Sequence, residues 1–256
     1  MKKRLIPVLL IDRNRRLIKT VRFGERTYIG DPFNVLRIFN AKEVDEICIL
    51  DIDATSDNRK PDFGFLNELS KECFMPIAYG GGISEILDCE HLNRIGIEKY
   101  ILGHQAFNEK LVLEVVSKMG SQAVLACVDI RGRGKNAQCV TKSGTTVWSR
   151  TPAEHCLALQ DIGVGEIILQ SVDLDGNRQG YDLEQISMIS SLLDIPLIAL
   201  GGAGNAHHLQ QALDSGASAA ASGSAFIFYG SLRAVLLTYP SALEMKELQG
   251  KYYEKQ

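Results

Sequence analysis

The sequence predicts a (β/α)8 barrel from three observations: its length, eight evenly spaced apolar runs, and a glycine signature that occurs twice. At 256 residues and 45% hydrophobic content the chain can bury one large core, the usual size of a single α/β barrel rather than two domains. Runs rich in apolar and β-branched residues fall at about 4–11, 46–52, 76–79, 98–102, 123–129, 165–171, 196–200 and 218–222. They are continuous rather than alternating, as expected of strands covered on both faces of a parallel sheet. Amphipathic stretches lie between them, such as 67–72, 109–119, 152–161 and 207–215, and strand–helix alternation eight times over closes a barrel. The run Pro76-Ile77-Ala78-Tyr79 ending in Gly80-Gly81-Gly82 returns about 120 residues later as Pro196-Leu197-Ile198-Ala199-Leu200 ending in Gly201-Gly202-Ala203-Gly204. Val44 to Asp53 likewise matches Val164 to Asp173, and Gly103 matches Gly223. One repetition at this period implies two fused half-barrels, roughly 1–120 and 121–240, within one domain spanning 1–256.

Each element in turn places a group at a strand exit, where this fold gathers its chemistry. Strand one begins at Arg4; its charged-then-apolar start resembles a leader, but Asp12-Arg13-Asn14-Arg15-Arg16 follows at once without a small-residue cleavage site, so a strand is the better reading. Lys19 falls in the long loop after it. Strand two ends at Asp51 and Asp53, strand three at Gly81-Gly82, and strand four at Gly103-His104. Strand five delivers Asp129 directly after the apolar Ala126-Cys127-Val128, which places a carboxylate against a low-dielectric wall and suits it to acid–base work. Asp173 and Asp175 follow strand six, Gly201-Gly202 strand seven, and Ser224 strand eight. The charged tail after Pro240 reads as a fraying helix.

Composition excludes several classes. A net charge of -3 gives no basic footprint for nucleic acid, and no run of ~18 apolar residues is present to span a membrane. Six scattered cysteines without a C-x-x-C read as reduced, buried thiols of a cytoplasmic protein. His91, His155, His207 and His208 show no ligand spacing and read as surface or helix N-terminal positions, so neither a metal nor an organic cofactor is expected. Glycines directly after buried strands let backbone N–H groups approach an anion at a helix N-terminus, and two such turns at one mouth imply a ligand with a phosphate at each end. An acidic residue at a strand exit is often only a helix cap, but several converging on one mouth are harder to read that way.

The segments Leu50-Asp51-Ile52-Asp53-Ala54, Gly80-Gly81-Gly82-Ile83, Gly120 to Val124, Ser171 to Gly176, Gly180-Tyr181-Asp182 and Gly201-Gly202-Ala203-Gly204 together resemble the cyclase subunit of imidazole glycerol phosphate synthase. The resemblance runs from Arg4 to about Phe228. It implies a glutaminase partner docked at the N-terminal face, ammonia passing through the barrel, and a bisphosphorylated ribulose-type substrate at the other end. Asp129 matches one of that family's two acid–base aspartates. The other is absent: Ile6-Pro7 is followed by Val8-Leu9-Leu10, and Leu10 stands at its position. One extra residue precedes the shared Lys19, which makes Asp12 a candidate replacement; Asp51 and Asp175 complete the candidate catalytic set. The resemblance also implies a charged ring at the barrel's lower entrance from Arg4, Glu46, Lys99 and Glu166, and an acidic interface position at Glu98. It implies phosphate contacts at Gly81, Gly82, Gly103, His104, Gly201, Gly202 and Ser224, the Gly103-His104 pair replacing two small polar residues.

Three functions follow as expectations. The favoured one is a divergent relative that conducts ammonia for amidotransfer, as in systems that install amidino groups on surface-polysaccharide sugars, with a sugar amidotransferase as a further partner. The alternatives are the cyclase of histidine biosynthesis, with Asp12 restoring the lost acid, and a non-catalytic scaffold that activates the glutaminase.

Overall fold

The computed structural model describes residues 3–230, 232–241 and 244. Eight parallel strands close into a barrel: β1 (Arg4–Ile11), β2 (Ile47–Asp51), β3 (Ile77–Gly80), β4 (Lys99–Leu102), β5 (Val124–Arg131), β6 (Glu166–Ser171), β7 (Leu197–Leu200) and β8 (Ala219–Ser222). All eight coincide within a residue or two with the apolar runs, and β3 and β5 run past the end of theirs, by one and two residues. Closure is carried by β5 against β6, from Leu125 opposite Glu166 to Ile130 opposite Ser171, and by β8 against β1, from Arg4 opposite Ala219 to Pro7 opposite Ser222. Among the described residues seven α-helices cover the outside: α1 (Pro32–Ala41), α2 (Phe63–Glu72), α3 (Ile86–Arg94), α4 (Glu109–Met119), α5 (Pro152–Ile162), α6 (Leu183–Ser190) and α7 (Ala206–Asp214). An eighth helix does not follow β8 among the described residues; a short hairpin, 228–229 with 234–235, stands there instead. The tail read as a helix lies largely outside the described residues.

The strands are apolar throughout because alternate residues serve two cores. Leu5, Leu9, Ile49, Tyr79 and Tyr100 pack outward under the helices, while Ile6, Val8, Leu10, Cys48, Ile101, Leu125, Cys127, Ile168 and Ile198 fill the barrel. The inner core has small residues at Ala78, Ala219 and Ala221, which leave a gap among the bulkier chains.

The internal repeat is visible in the caps. Asp31 and Thr151 each cap a helix that starts with proline; Asp62 and Asp182 cap α2 and α6 by accepting from Phe65 and Gln185 amides; Asp88 and His208 each accept the amide four residues upstream. Gly81 and Gly201 both hold φ in the left-handed half of the map, at 124° and 94°, and a side chain at either would drive into the carbonyl of the neighbouring strand end, Asp51 or Ser171.

Two further hairpins depart from plain strand–helix alternation. Lys19, expected in a loop, belongs to a four-residue strand, Leu17–Thr20, which pairs antiparallel with β1 through Leu10 opposite Ile18 and with a further strand at Arg26–Gly30. A second hairpin, 138–141 with 146–147, extends β5. Both stand over the C-terminal mouth.

Candidate functional site

Inward-facing register brings the sequence-predicted groups to the two ends of the barrel. At the N-terminal end, Arg4 and Lys99 open β1 and β4, Glu166 opens β6, and Glu46 directly precedes β2. Each cation meets both carboxylates: Arg4 bonds Glu46 at 2.8 Å and also Glu166, and Lys99 Nζ lies 2.9 Å from each glutamate. Four charges thus close into one neutral ring across the entrance. Burial alone would raise Glu166's pKa, but its bonds to Arg4 and Lys99 outweigh that and hold it below the ordinary range. The ring is not symmetric, for Glu46 uses only Oε2 and leaves Oε1 buried without a hydrogen-bond partner. Glu98 is exposed beside this entrance, and Phe74, 86% exposed in the α2–β3 connection, lies on the same end.

Above the ring the interior is apolar. A cavity of about 10 Å³, lined by Ile6, Val8, Cys48, Ala78, Ile168 and Leu200 among others, has Glu46 at its floor. A second cavity of about 20 Å³ at the mouth shares Val8 and Leu200 with it and adds Leu10, Leu50, Lys19, Gln170, Asp175 and Ser224. Either holds a water-sized guest.

At the mouth the carboxylates divide by environment. Asp129, on β5, has one thiol donor, Cys127 Sγ at 3.6 Å, and no cation; burial pushes its pKa up to about 7, the Cys127 bond opposes this, and the Asp175 carboxylate adds to it. Asp175 is also raised by burial, against a 2.8 Å bond from Thr20 Oγ1 and the nearby Lys19. Burial lowers Lys19 to about 7 despite the pull of Asp175; it is 4% exposed and its Nζ donates to the Val8 carbonyl. Asp12 points elsewhere. It closes its own turn by accepting from the Asn14 and Arg16 amides and binds the Arg16 guanidinium in a fork at 2.7 and 2.9 Å, so its charged form is favoured over burial. Asp51 accepts from the Asp53 and Ala54 amides and meets Arg59 at 3.3 Å, while Asp53 is held by Arg26 and the Arg13 amide, which bring its pKa down to about 2. These two order the β2–α2 loop.

The glycine turns stand at the same mouth. Gly82 and Gly202 carry φ of 71° and 113°, and a side chain at Gly82 would lie 2.5 Å from the Arg59 carbonyl. Ser224 is buried next to Gly223, but the Ser224 and Ala225 amides already donate to Ser222 Oγ, at 3.1 and 3.0 Å. Gly103 opens a short turn, and the ring of His104 bonds Thr141 on the second hairpin at 2.7 Å. Of the remaining histidines, His91 stacks on Phe63, His208 serves the turn before α7, and His155 stands near the N-terminus of α5 but not at the surface. It is 1% exposed, stacked on Phe107 at 4.4 Å, and neither ring nitrogen has a hydrogen-bond partner. No group of three His, Cys, Asp or Glu among the described residues could hold a metal ion.

Gln170 escaped the sequence reading. It faces inward on β6 directly opposite Asp129 and lines the mouth cavity. A polar residue at the inward register of an otherwise apolar strand was the available signal. Thr20, which bonds Asp175, carried no such signal, and Gly223 beside Lys19 showed only as the repeat of Gly103.

Comparison with known proteins places this arrangement among relatives. The family model described as histidine biosynthesis protein matches residues 4–233. The chain is 42% identical over 242 residues to a Pseudomonas aeruginosa protein provisionally named imidazole glycerol phosphate synthase subunit hisF2, covering 93% of this chain and 96% of that one. A Vibrio vulnificus protein provisionally named as subunit hisF3 is 38% identical, covering 96% of each chain. Imidazole glycerol phosphate synthase subunit HisF of a Nocardioides strain is 33% identical over 239 residues, with 90% and 92% covered.

Proposed function

The chain belongs to the histidine biosynthesis protein family, and from that premise we propose that it is a cyclase-subunit-like barrel that takes ammonia from a glutaminase at its N-terminal face and conducts it to the C-terminal mouth. The observation that carries this reading is the closed ring of Arg4, Glu46, Lys99 and Glu166 below an apolar interior that leads to the mouth cavity. A buried ion-pair ring is a costly way to plug a barrel, since apolar packing serves stability as well or better. Its use is that it excludes water while one lysine can swing aside. Exposed Glu98 and Phe74 beside it offer a charged and an apolar contact to the glutaminase.

At the mouth the delivered nitrogen meets Asp129, which exchanges protons near neutrality and can take the proton an attacking amine must lose. The opposing acid is missing: Leu10 lines the cavity, and Asp12 is bound to Arg16. We therefore favour a member that delivers ammonia for amidotransfer to a sugar of surface-polysaccharide synthesis, with the acceptor held by a further protein or weakly by the glycine turns. The turns at Gly81-Gly82 and Gly201-Gly202 with Ser224 support a phosphorylated ligand; His104, occupied by Thr141, supports it less.

A second reading, the cyclase itself, draws on one observation: Asp129 and Lys19 both titrate near neutrality at one small mouth. Two experiments decide. Mixed with its cognate glutaminase, the protein should co-elute as a heterodimer, and Lys99→Ala should keep the complex but release ammonia to solvent; failure to bind any glutaminase of the same genome refutes the conduit. Wild-type cyclase turnover with added ammonia should fall ~10²–10⁴-fold short of a working cyclase. Full turnover abolished by both Asp12→Asn and Asp129→Asn would establish the second reading instead.

A further inference from the structure

The β1–β8 ladder ends at the pair Pro7 and Ser222, and Val8, the next residue of β1, pairs with Cys48 on β2 instead. There β8 turns away through Gly223, and the Lys19 side chain reaches down from the hairpin to donate its Nζ to the Val8 carbonyl. A Cβ at position 223 would stand 2.7 Å from Nζ, so the amine occupies space that only glycine leaves. Asp175 faces it as counter-charge, and Asp175 is itself tied to the hairpin by Thr20 Oγ1 at 2.8 Å and by its carbonyl, which accepts from the Arg22 amide at 3.0 Å. Around Nζ stand two acceptors, the Val8 carbonyl and the Asp175 carboxylate, with the Gln170 amide and Ser224 on the wall of the same cavity beside Leu10 and Leu200. An ammonium head with three donors satisfies such a set, whereas an anion does not.

We propose that the pocket between the Val8 carbonyl, Gly223 and the Asp175 carboxylate is a binding seat for an amine nitrogen, that Lys19 fills it in the resting protein, and that ammonia or a small primary amine takes it when the Lys19 side chain withdraws. The seat lies directly above the apolar chamber, with which its cavity shares Val8 and Leu200, so a nitrogen travelling up the barrel arrives beneath Lys19. Arrival there displaces Lys19 toward solvent and loosens the hairpin that Thr20 and Asp175 hold over the mouth. Burial depresses the charge of the Lys19 amine, which eases its departure. The inference rests on the conduit reading only for the source of the ammonia.

The test uses the barrel without a glutaminase, so its failure and failure of the conduit are separate results. Lys19→Ala empties the seat, and melting is followed in ammonium or methylammonium chloride against sodium and tetramethylammonium chloride at equal ionic strength. Ammonium and methylammonium should raise the variant's midpoint saturably by roughly 2–4 °C beyond sodium, and wild type by less than about a quarter of that. Tetramethylammonium, which has no N–H, should match sodium. Equal ammonium responses in variant and wild type overturn the proposal. Should Lys19→Ala not fold, Gly223→Ala carries the test: its Cβ must evict the amine, and acylation of Lys19 relative to Lys60 should rise several-fold over wild type. Unchanged Lys19 reactivity in that variant overturns the proposal.

Discussion

Replacing Asp129 by asparagine should stabilise this protein, and only above about pH 4. The carboxyl sits on β5 with a thiol as its one side-chain partner, and burial pushes its pKa from the ordinary 3.8 to about 7. Between those values the folded state binds a proton that the unfolded chain has released, so stability falls as pH rises through the window. Well below pH 3.8 the group is neutral in both states and costs nothing; above about pH 7 the whole cost is present. A difference of about three pH units corresponds to ~4 kcal/mol, and partial exposure at the mouth reduces this to about 2–4 kcal/mol. The asparagine side chain retains an Oδ1 acceptor for Cys127, so the exchange removes the charge and little else. In urea titrations the variant's midpoint should exceed that of wild type by roughly 1 M at pH 8, and by less than ~0.2 M at pH 4. Lys19, also near 7, adds its own slope above neutrality, but it is common to both proteins and cancels in the difference. A midpoint difference that stays constant from pH 4 to pH 8 would refute the assignment of a proton to Asp129.

Three further outcomes are expected. His155→Phe keeps the stack on Phe107 and removes two buried nitrogens that lack partners, so it should raise stability by about 1–2 kcal/mol, read as a higher melting midpoint; destabilisation would mean that a bound water or a partner serves the ring. Gly202→Ala forces a side chain into the Gly180 carbonyl at a φ of 113°, and should cost roughly 3 kcal/mol or more and abolish phosphate protection against thermal melting, whereas a fully stable variant would show that the turn is not constrained as described. Arg26→Ala strips Asp53 of its fork; because that carboxylate's pKa is depressed to about 2, its contribution is present above about pH 4 and lost as pH falls through 2. Acid unfolding of the variant should therefore begin ~1 pH unit higher than in wild type, and coincident acid transitions would contradict it.

The barrel was legible in the sequence because its strands obey a local rule. A strand buried on both faces must be apolar at every position, and eight such runs announced β1 to β8 wherever they fell in space. The glycine turns were legible for a similar reason, since a left-handed φ beside a neighbouring strand leaves one residue type at Gly81 and Gly201. Repetition about 120 residues apart was legible as well, and the caps at Asp62 and Asp182 repeat with it. The hairpin carrying Lys19 was not legible, because Leu17–Thr20 alternates too briefly to show a period and gains its strand by pairing with Leu10 and Ile11 on one side and with Arg26–Gly30 on the other. Nor was the fate of Asp12: its place on the inward register said nothing of Arg16, four residues on, whose fork and amide close the turn first. His155 reads as a polar helix residue until Phe107 and Trp148 cover it. The ring at the entrance joins residues far apart in the chain, so their types could be expected from resemblance, while the unpaired Glu46 Oε1 arose only from how two cations divide between two carboxylates in space. Register along each strand, which chain order sets, determines the groups that reach each end of the barrel; packing in three dimensions decides which of them are neutralised there, because charge and desolvation depend on distances that chain order does not contain.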